Sequence, residues 1–134
     1  METIDLVKVL VDTSIWVEYF RGNEAVCTQL LPLIDAGSVA VTGLIIGELR
    51  QGIRNSREAA DIENLAEAFV SPDISLEMWI RAGRLSAAMR KSGLTIPLSD
   101  CAIATLAHHY GYSLLTRDKH FSQLQTKLKL QLLQ

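Results

Sequence analysis

Four acidic residues, Asp12, Glu48, Asp100 and Asp118, stand where neither packing nor solvation accounts for an acid. Asp12 abruptly ends an apolar run of Val7, Val9, Leu10 and Val11, and Asp118 follows a second apolar stretch, residues 112–116, by way of Thr116 and Arg117. In an open α/β sheet, ligands bind just outside the carboxyl ends of the strands, so acids at strand ends are placed for chemistry. On a helical wheel Glu48 falls at the edge of the apolar half formed by Leu44, Ile45, Leu49 and Ile53, with Arg50 and Arg54 opposite. Asp100 shares its side with Ile103, Ala104 and Ala107. Three of the acids also have a plainer reading. Asp12 could cap a helix or close an Asx turn, Glu48 could pair with an arginine at a rim, and Asp100 could complement a helix dipole.

Taken together they suggest more. Carboxylates gathered within a few ångströms repel one another unless a hard divalent ion neutralises them. A donor set made of oxygens, without cysteine or paired histidine, favours Mg²⁺ or Mn²⁺ over Zn²⁺. The corresponding chemistry is phosphoester hydrolysis. Cys27 and Cys101 lie far apart without metal-ligand spacing, and His108 and His109 lack a partner at such spacing, so these read as buried thiols and as surface or supporting residues.

The elements that must position the acids alternate between strand and helix. The strand ending at Asp12 runs into Thr13 and Ser14, which start a helix over residues 15–21 with Trp16, Tyr19 and Phe20 on one face. Such a stripe reads as core or subunit packing before base stacking. A helix over 24–36 begins at the cap Asn23 and stops at Gly37; a short strand over 39–41 then leads through Thr42 into a helix over 43–53. A polar turn at 55–58 precedes a helix over 59–69. Ser75 caps a longer helix, which carries a stripe of Leu76, Trp79, Ile80, Gly83 and Ala87 with Arg81, Arg84, Arg90 and Lys91 around it and ends at Gly93. Ser99 caps a helix over 101–110 closed by Gly111. After the strand at 112–116 come a helical turn at 120–124 and a segment, 128–132, that reads as an edge strand or a final helix. This order predicts one domain, residues 1–134, built as a three-layer α/β/α sandwich around a mainly parallel central sheet.

Composition narrows the partners. The formal charge of 13 minus 15, or −2, excludes global attraction of nucleic acid, so any such binding rests on local cations. Arg50, Arg54, Arg117 and Lys119 are the candidates beside the acidic mouth. The N-terminus carries Glu2 and Asp5 and lacks the form of a signal peptide, and the chain has no apolar run of the roughly 20 residues that a bilayer requires. Free thiols suit a reducing compartment, so the expectation is a cytoplasmic protein with no membrane partner.

In this order and spacing the motifs resemble those of the PIN-domain nucleases, and among them the VapC-type toxins of toxin-antitoxin pairs. The resemblance rests on Val11-Asp12-Thr13-Ser14, Ile46-Gly47-Glu48-Leu49, Pro97 to Ala104 around Asp100, and Leu114 to Phe121 around Asp118. It implies a metal-dependent endoribonuclease that cleaves structured RNA such as tRNA or rRNA and is silenced by a cognate antitoxin. It also implies Mg²⁺ or Mn²⁺ bound by Asp12, Asp100 and Asp118, with Glu48 directly or through water, and Thr13 and Thr116 orienting those ligands. With the aromatic face at Trp16, Tyr19 and Phe20, it suggests a homodimer or an antitoxin groove on the early helices. The alternatives are a PIN nuclease of RNA processing or of DNA, and a noncatalytic RNA-binding or scaffold module. A phosphatase of the haloacid dehalogenase type wants a second Asp where Ser14 stands. A receiver domain wants an Asp where Thr42 and Gly43 follow the middle strand.

Overall fold

The computed structural model describes residues 8–133, so the expected strand residue Val7 lies outside the described residues. Four strands, β1 (Val9–Val11), β2 (Val39–Ala40), β3 (Ser113–Leu115) and β4 (Gln131–Leu133), form a parallel sheet in the order β2-β1-β3-β4. Strands β1, β2 and β3 are short and buried, and all aliphatic apart from Ser113 at the start of β3, as suits strands covered on both faces. Helices α1 (Thr13–Phe20), α2 (Glu24–Asp35), α3 (Gly43–Gln51), α4 (Ser56–Ala68), α5 (Leu76–Lys91), α6 (Leu98–Tyr110) and α7 (His120–Leu124) complete the three-layer α/β/α arrangement. The segment at 128–132 resolves as the edge strand β4. Among the described residues no helix is long and apolar enough to cross a membrane.

The topology makes the site. From β1 the chain moves to one side to form β2 and then crosses to the other side to form β3. The carboxyl ends of β1 and β3 therefore flank a topological switch point, where open parallel sheets leave a crevice. The ladder continues one step past β1, with Asp12 N–H donating to the Leu115 carbonyl at 2.9 Å. A further edge forms at Val70, whose carbonyl accepts from Val41 N–H at 2.9 Å.

Several boundaries differ from those read in the sequence. The strands at 39–41 and 112–116 shorten to Val39–Ala40 and Ser113–Leu115. The polar segment 55–58 is not a turn: Asn55 accepts from Glu58 N–H at 3.0 Å, so α4 begins at Ser56. Ser99 does not cap the helix that follows it. Pro97 takes that place with φ −55°, its carbonyl accepts from Asp100 and Cys101 N–H, and α6 starts at Leu98. Asp100 consequently lies in the first turn of a helix that is buried from Cys101 through Ala107. Trp16 belongs to the core at 0% exposure, with its ring 6.0 Å from that of Phe69; Tyr19 is half-buried and only Phe20 is exposed, so the early aromatics do not form an open face. In α5 the apolar stripe named above faces outward. Met78, Ala82 and Met89 are the buried side.

Candidate active site

Asp12 occupies the N-cap position of α1, yet its side chain caps nothing. Instead the carboxylate is buried, with the residue 5% exposed, and Oδ2 accepts two hydroxyl hydrogen bonds, from Thr116 at 2.8 Å and Ser14 at 3.0 Å. Both hydroxyls are oriented from behind. Thr116 Oγ1 accepts from Asp118 N–H at 3.0 Å and Ser14 Oγ accepts from Arg117 N–H at 3.1 Å. A hydroxyl has one hydrogen to give, so once its oxygen is engaged by an amide its proton is directed to Asp12. The loop after β3 thereby fixes the acid at the end of β1.

Glu48 comes to the same place from α3. Its Oε1 accepts from Thr13 Oγ1 at 2.9 Å, tying α3 to the first turn of α1, where the plainer reading required an arginine. Burial raises its pKa above the usual carboxylate value, the charges of Asp12 and Asp100 raise it further, and the Thr13 bond only partly offsets them. Asp100 projects from the first turn of α6 with a side chain 13% exposed, and Oδ2 lies 2.8 Å from His120 Nδ1. Burial pushes its pKa up too. The Asp118 and Asp12 charges add to that, and His120 acts in the opposite direction. Asp118, more open at 35%, accepts from His120 N–H through Oδ1 at 2.9 Å, with His120 Nδ1 at 3.2 Å from the same oxygen.

The structure thus brings together all four acids named from the sequence, each within the others' field or hydrogen-bond network. Their closest grouping was not foreseen: ligand atoms of Asp100, Asp118 and His120 lie within 4.8 Å of one another, and those of Asp12 and Glu48 lie outside that tight set. The donor chemistry fits a hard divalent cation. Carboxylate oxygens converge in a part-buried crevice, burial raises the pKa of Glu48 and Asp100 there, and oriented hydroxyls hold Asp12 in place. His120 and Ser14 are the site residues that sequence reasoning missed. A histidine two positions after Asp118 on a turn was the available signal, since that spacing returns the imidazole to the carboxylate.

The PIN domain family model matches residues 9–127. Ribonuclease VapC11 of Mycobacterium tuberculosis is 30% identical over 128 residues, covering 92% of this chain and 96% of the relative. The chain belongs to the PIN domain family, in its VapC branch. Solved structures share the PIN fold. VapBC2 from Rickettsia felis, bound to a promoter DNA fragment, aligns with TM-score 0.75 at 19% identity over 93% of this chain and 96% of that one. VapC20 from Mycobacterium tuberculosis, described as a sarcin-ricin loop cleaving toxin, aligns with TM-score 0.68 at 15% identity over 90% and 96%.

Around the acids of this PIN domain the four candidate cations differ. Arg117 is adjacent to the site through its backbone contact with Ser14, and its guanidinium lies 3.8 Å from Glu18. Lys119 is exposed and takes the N-cap position of α7. Arg54 is engaged by Glu58 through its backbone N–H at 2.8 Å, Nε at 3.1 Å and Nη2 at 2.9 Å. Arg50 is exposed on α3.

Proposed function

We propose that this PIN domain is a metal-dependent endoribonuclease that hydrolyses phosphodiesters in structured RNA such as tRNA or rRNA and is held inactive by a cognate antitoxin. The observation that carries the reading is Asp12, an acid at the switch point of the sheet whose carboxylate is buried and held by two oriented hydroxyls instead of capping its helix. The ribonuclease names of the curated relatives support the substrate class.

Asp12, Asp100 and Asp118 would hold Mg²⁺ or Mn²⁺, with Glu48 directly or through water. Such an ion supplies Lewis-acid stabilisation of phosphoryl oxygens and a lowered pKa for water at the site. The protein's own groups do the rest. Thr116 and Ser14 keep Asp12 in one orientation, and Thr13 does the same for one oxygen of Glu48. The other oxygen, Oε2, takes the proton of the attacking water. As the new bond from water oxygen to phosphorus forms, one ester P–O bond breaks, the departing alkoxide takes a proton from solvent water, and Glu48 returns its own to solvent. Arg117 and Lys119 contribute phosphate contacts beside the mouth.

For the antitoxin, a cavity of about 140 Å³ between α1, α3 and α4 offers Val17, Phe20, Leu49, Ile53 and Ile62 to an apolar face, with Arg54 and Glu58 at its edge. Cleavage of labelled tRNA and rRNA fragments across a Mn²⁺ titration, with Asp12→Ala as control, tests the enzyme. Equal cleavage by that variant refutes it, and binding without cleavage favours a noncatalytic module. The reading also includes a homodimer.

A further inference from the structure

The carboxyl end of the sheet carries a second opening that the acids do not use. Leu115 and Leu133, the last residues of β3 and β4, pair in register there, and with Ile15 and Val26 they floor a pit of about 320 Å³, more than twice the cavity between α1, α3 and α4. Small-molecule sites begin at about 300 Å³, so the space suits one flat ring system, and the ends of parallel strands are where such sheets take ligands. A plain seam between α2 and the edge strand would account for the apolar floor. It would not account for the polar groups beside it. Asn23, Thr116 and Arg117 complete the lining. Glu18 Oε2 accepts from Asn23 Nδ2 at 3.2 Å and lies 3.8 Å from Arg117 Nη1, so one carboxylate holds the cap of α2 and the guanidinium together. Thr116 is shared: it lines the pit and donates to Asp12 at 2.8 Å. One residue therefore separates the pit from the acidic crevice.

We infer that this pit is a nucleobase subsite, which takes the unstacked base of the nucleotide next to the phosphodiester held over the acids. The inference rests on the ribonuclease reading and narrows its substrate to RNA that is single-stranded at the cut, as in a loop of a structured molecule. Proteins read RNA bases where they are splayed out of a helix, because only then are the ring faces and pairing edges free. The aliphatic floor receives the ring. Ala25, in the first turn of α2, keeps an amide hydrogen with no acceptor inside the helix, a donor for a ring nitrogen or carbonyl at the edge of the base. Arg117, with its side chain half-exposed, meets the phosphate that joins this nucleotide to the cut one. The cation thus positions the strand, and the pit selects what hangs from it.

The first test needs no cleavage. The full chain, methyl-labelled and in chelator, is titrated with AMP, GMP, CMP and UMP to about 10 mM, enough to populate a millimolar site. Methyl resonances of Ala25, Val26, Leu115 and Leu133 shift with at least one of the four, while those of Leu49 and Ile62, in the other cavity, stay in place. The second test removes bases one at a time from a cleaved RNA, on either side of the cut. Loss of the base at one adjoining position lowers kcat/KM at least about tenfold, the lower range for one stacked base. Ala25 is exposed, so Ala25→Phe fills the pit without entering the core, and circular dichroism checks the fold. That variant loses as much as the missing base does, and the two changes together lower kcat/KM no further than either alone. Pit methyls unmoved by all four nucleotides, indifference to both adjoining bases, or an Ala25→Phe loss that adds to that of the missing base would each overturn the subsite. Methyl shifts without cleavage of any RNA would support the subsite and remove the nuclease reading. Shifts seen only with the protein encoded beside this one would overturn it by giving the pit to that partner.

Discussion

At the scale of single residues, geometry separates groups that the sequence could only place in one neighbourhood. Asp12→Ala and Asp118→Ala are expected to lower divalent-dependent RNA cleavage at least about a hundredfold, as loss of a ligand disturbs both ion position and water activation. Thr116→Val removes the shorter of the two bonds to Asp12 and leaves every carboxylate in place. It should lower cleavage about tenfold, the lower range for an outer-shell partner, with the metal optimum moved to higher concentration. Single-turnover rates over a Mn²⁺ series check both. RNA affinity divides the four cations. Arg54 is already engaged by Glu58, so its removal frees little positive charge for phosphate, whereas Arg117 stands beside the acids. In an Asp12→Ala background, Arg117→Ala should reduce the slope of log affinity against log salt by about one phosphate contact, and Arg54→Ala should leave it nearly unchanged. Equal slopes in the two variants would remove Arg117 from the RNA contact.

Among the elements, α6 does most to build the crevice, because it is buried over seven successive residues and offers Asp100 from its first turn. Gly111 ends it at φ 69°, in the left-handed region, with nothing near a would-be Cβ. Gly111→Ala should therefore destabilise by about 1 kcal/mol through the backbone alone, lowering Tm by about 4 °C without altering the metal dependence of cleavage. The strand ends were legible in the sequence for the same reason that the crevice exists. An aliphatic run that stops at an acid marks both the burial and its limit, as at Val11-Asp12. Less legible was the start of α6, where Ser99 offered a hydroxyl but Pro97 had already set the helical φ. The sidedness of α5 was hidden more deeply. Met78, Ala82, Leu85 and Met89 form a second apolar stripe beside that of Leu76, Trp79 and Ile80, and periodicity cannot tell which of two stripes meets the core. His120 had a local signal in its spacing from Asp118, but its 2.8 Å contact with Asp100 and the bond between Ser14 and Arg117 depend on where the loop after β3 returns, which spacing alone does not record.

For the whole molecule, a charge of only −2 conceals an uneven distribution, with four carboxylates concentrated in one crevice. Glu48 and Asp100 bind protons more tightly folded than unfolded, since both are raised above 4.5 and 3.8 respectively. The sign follows from linkage. Below those ordinary values both states are protonated and the groups exert no penalty. As pH rises from there through the raised values, the unfolded chain releases its protons first, and the metal-free folded state loses stability until both acids are ionised. Glu58, lowered by its bonds to Arg54, works in the opposite direction, but it lies outside the acidic crevice. Asp100→Asn isolates the effect. The amide keeps an oxygen for His120 Nδ1 and removes the charge, so the metal-free variant should be more stable than wild type by about 1 kcal/mol at neutral pH, a typical single-substitution effect with its sign reversed at a strained site. That advantage should shrink as pH falls through the raised value, where wild-type Asp100 takes up a proton itself. Mn²⁺ should reverse the order. At about 100 times its dissociation constant it stabilises the wild type by about 2.7 kcal/mol, and the variant, binding more weakly, gains less. Thermal melts of both proteins from pH 4 to 8, in chelator and then in Mn²⁺, decide between this account and a plain helix-dipole acid: a dipole acid predicts a variant that melts below wild type in chelator and shows an undiminished shift with metal.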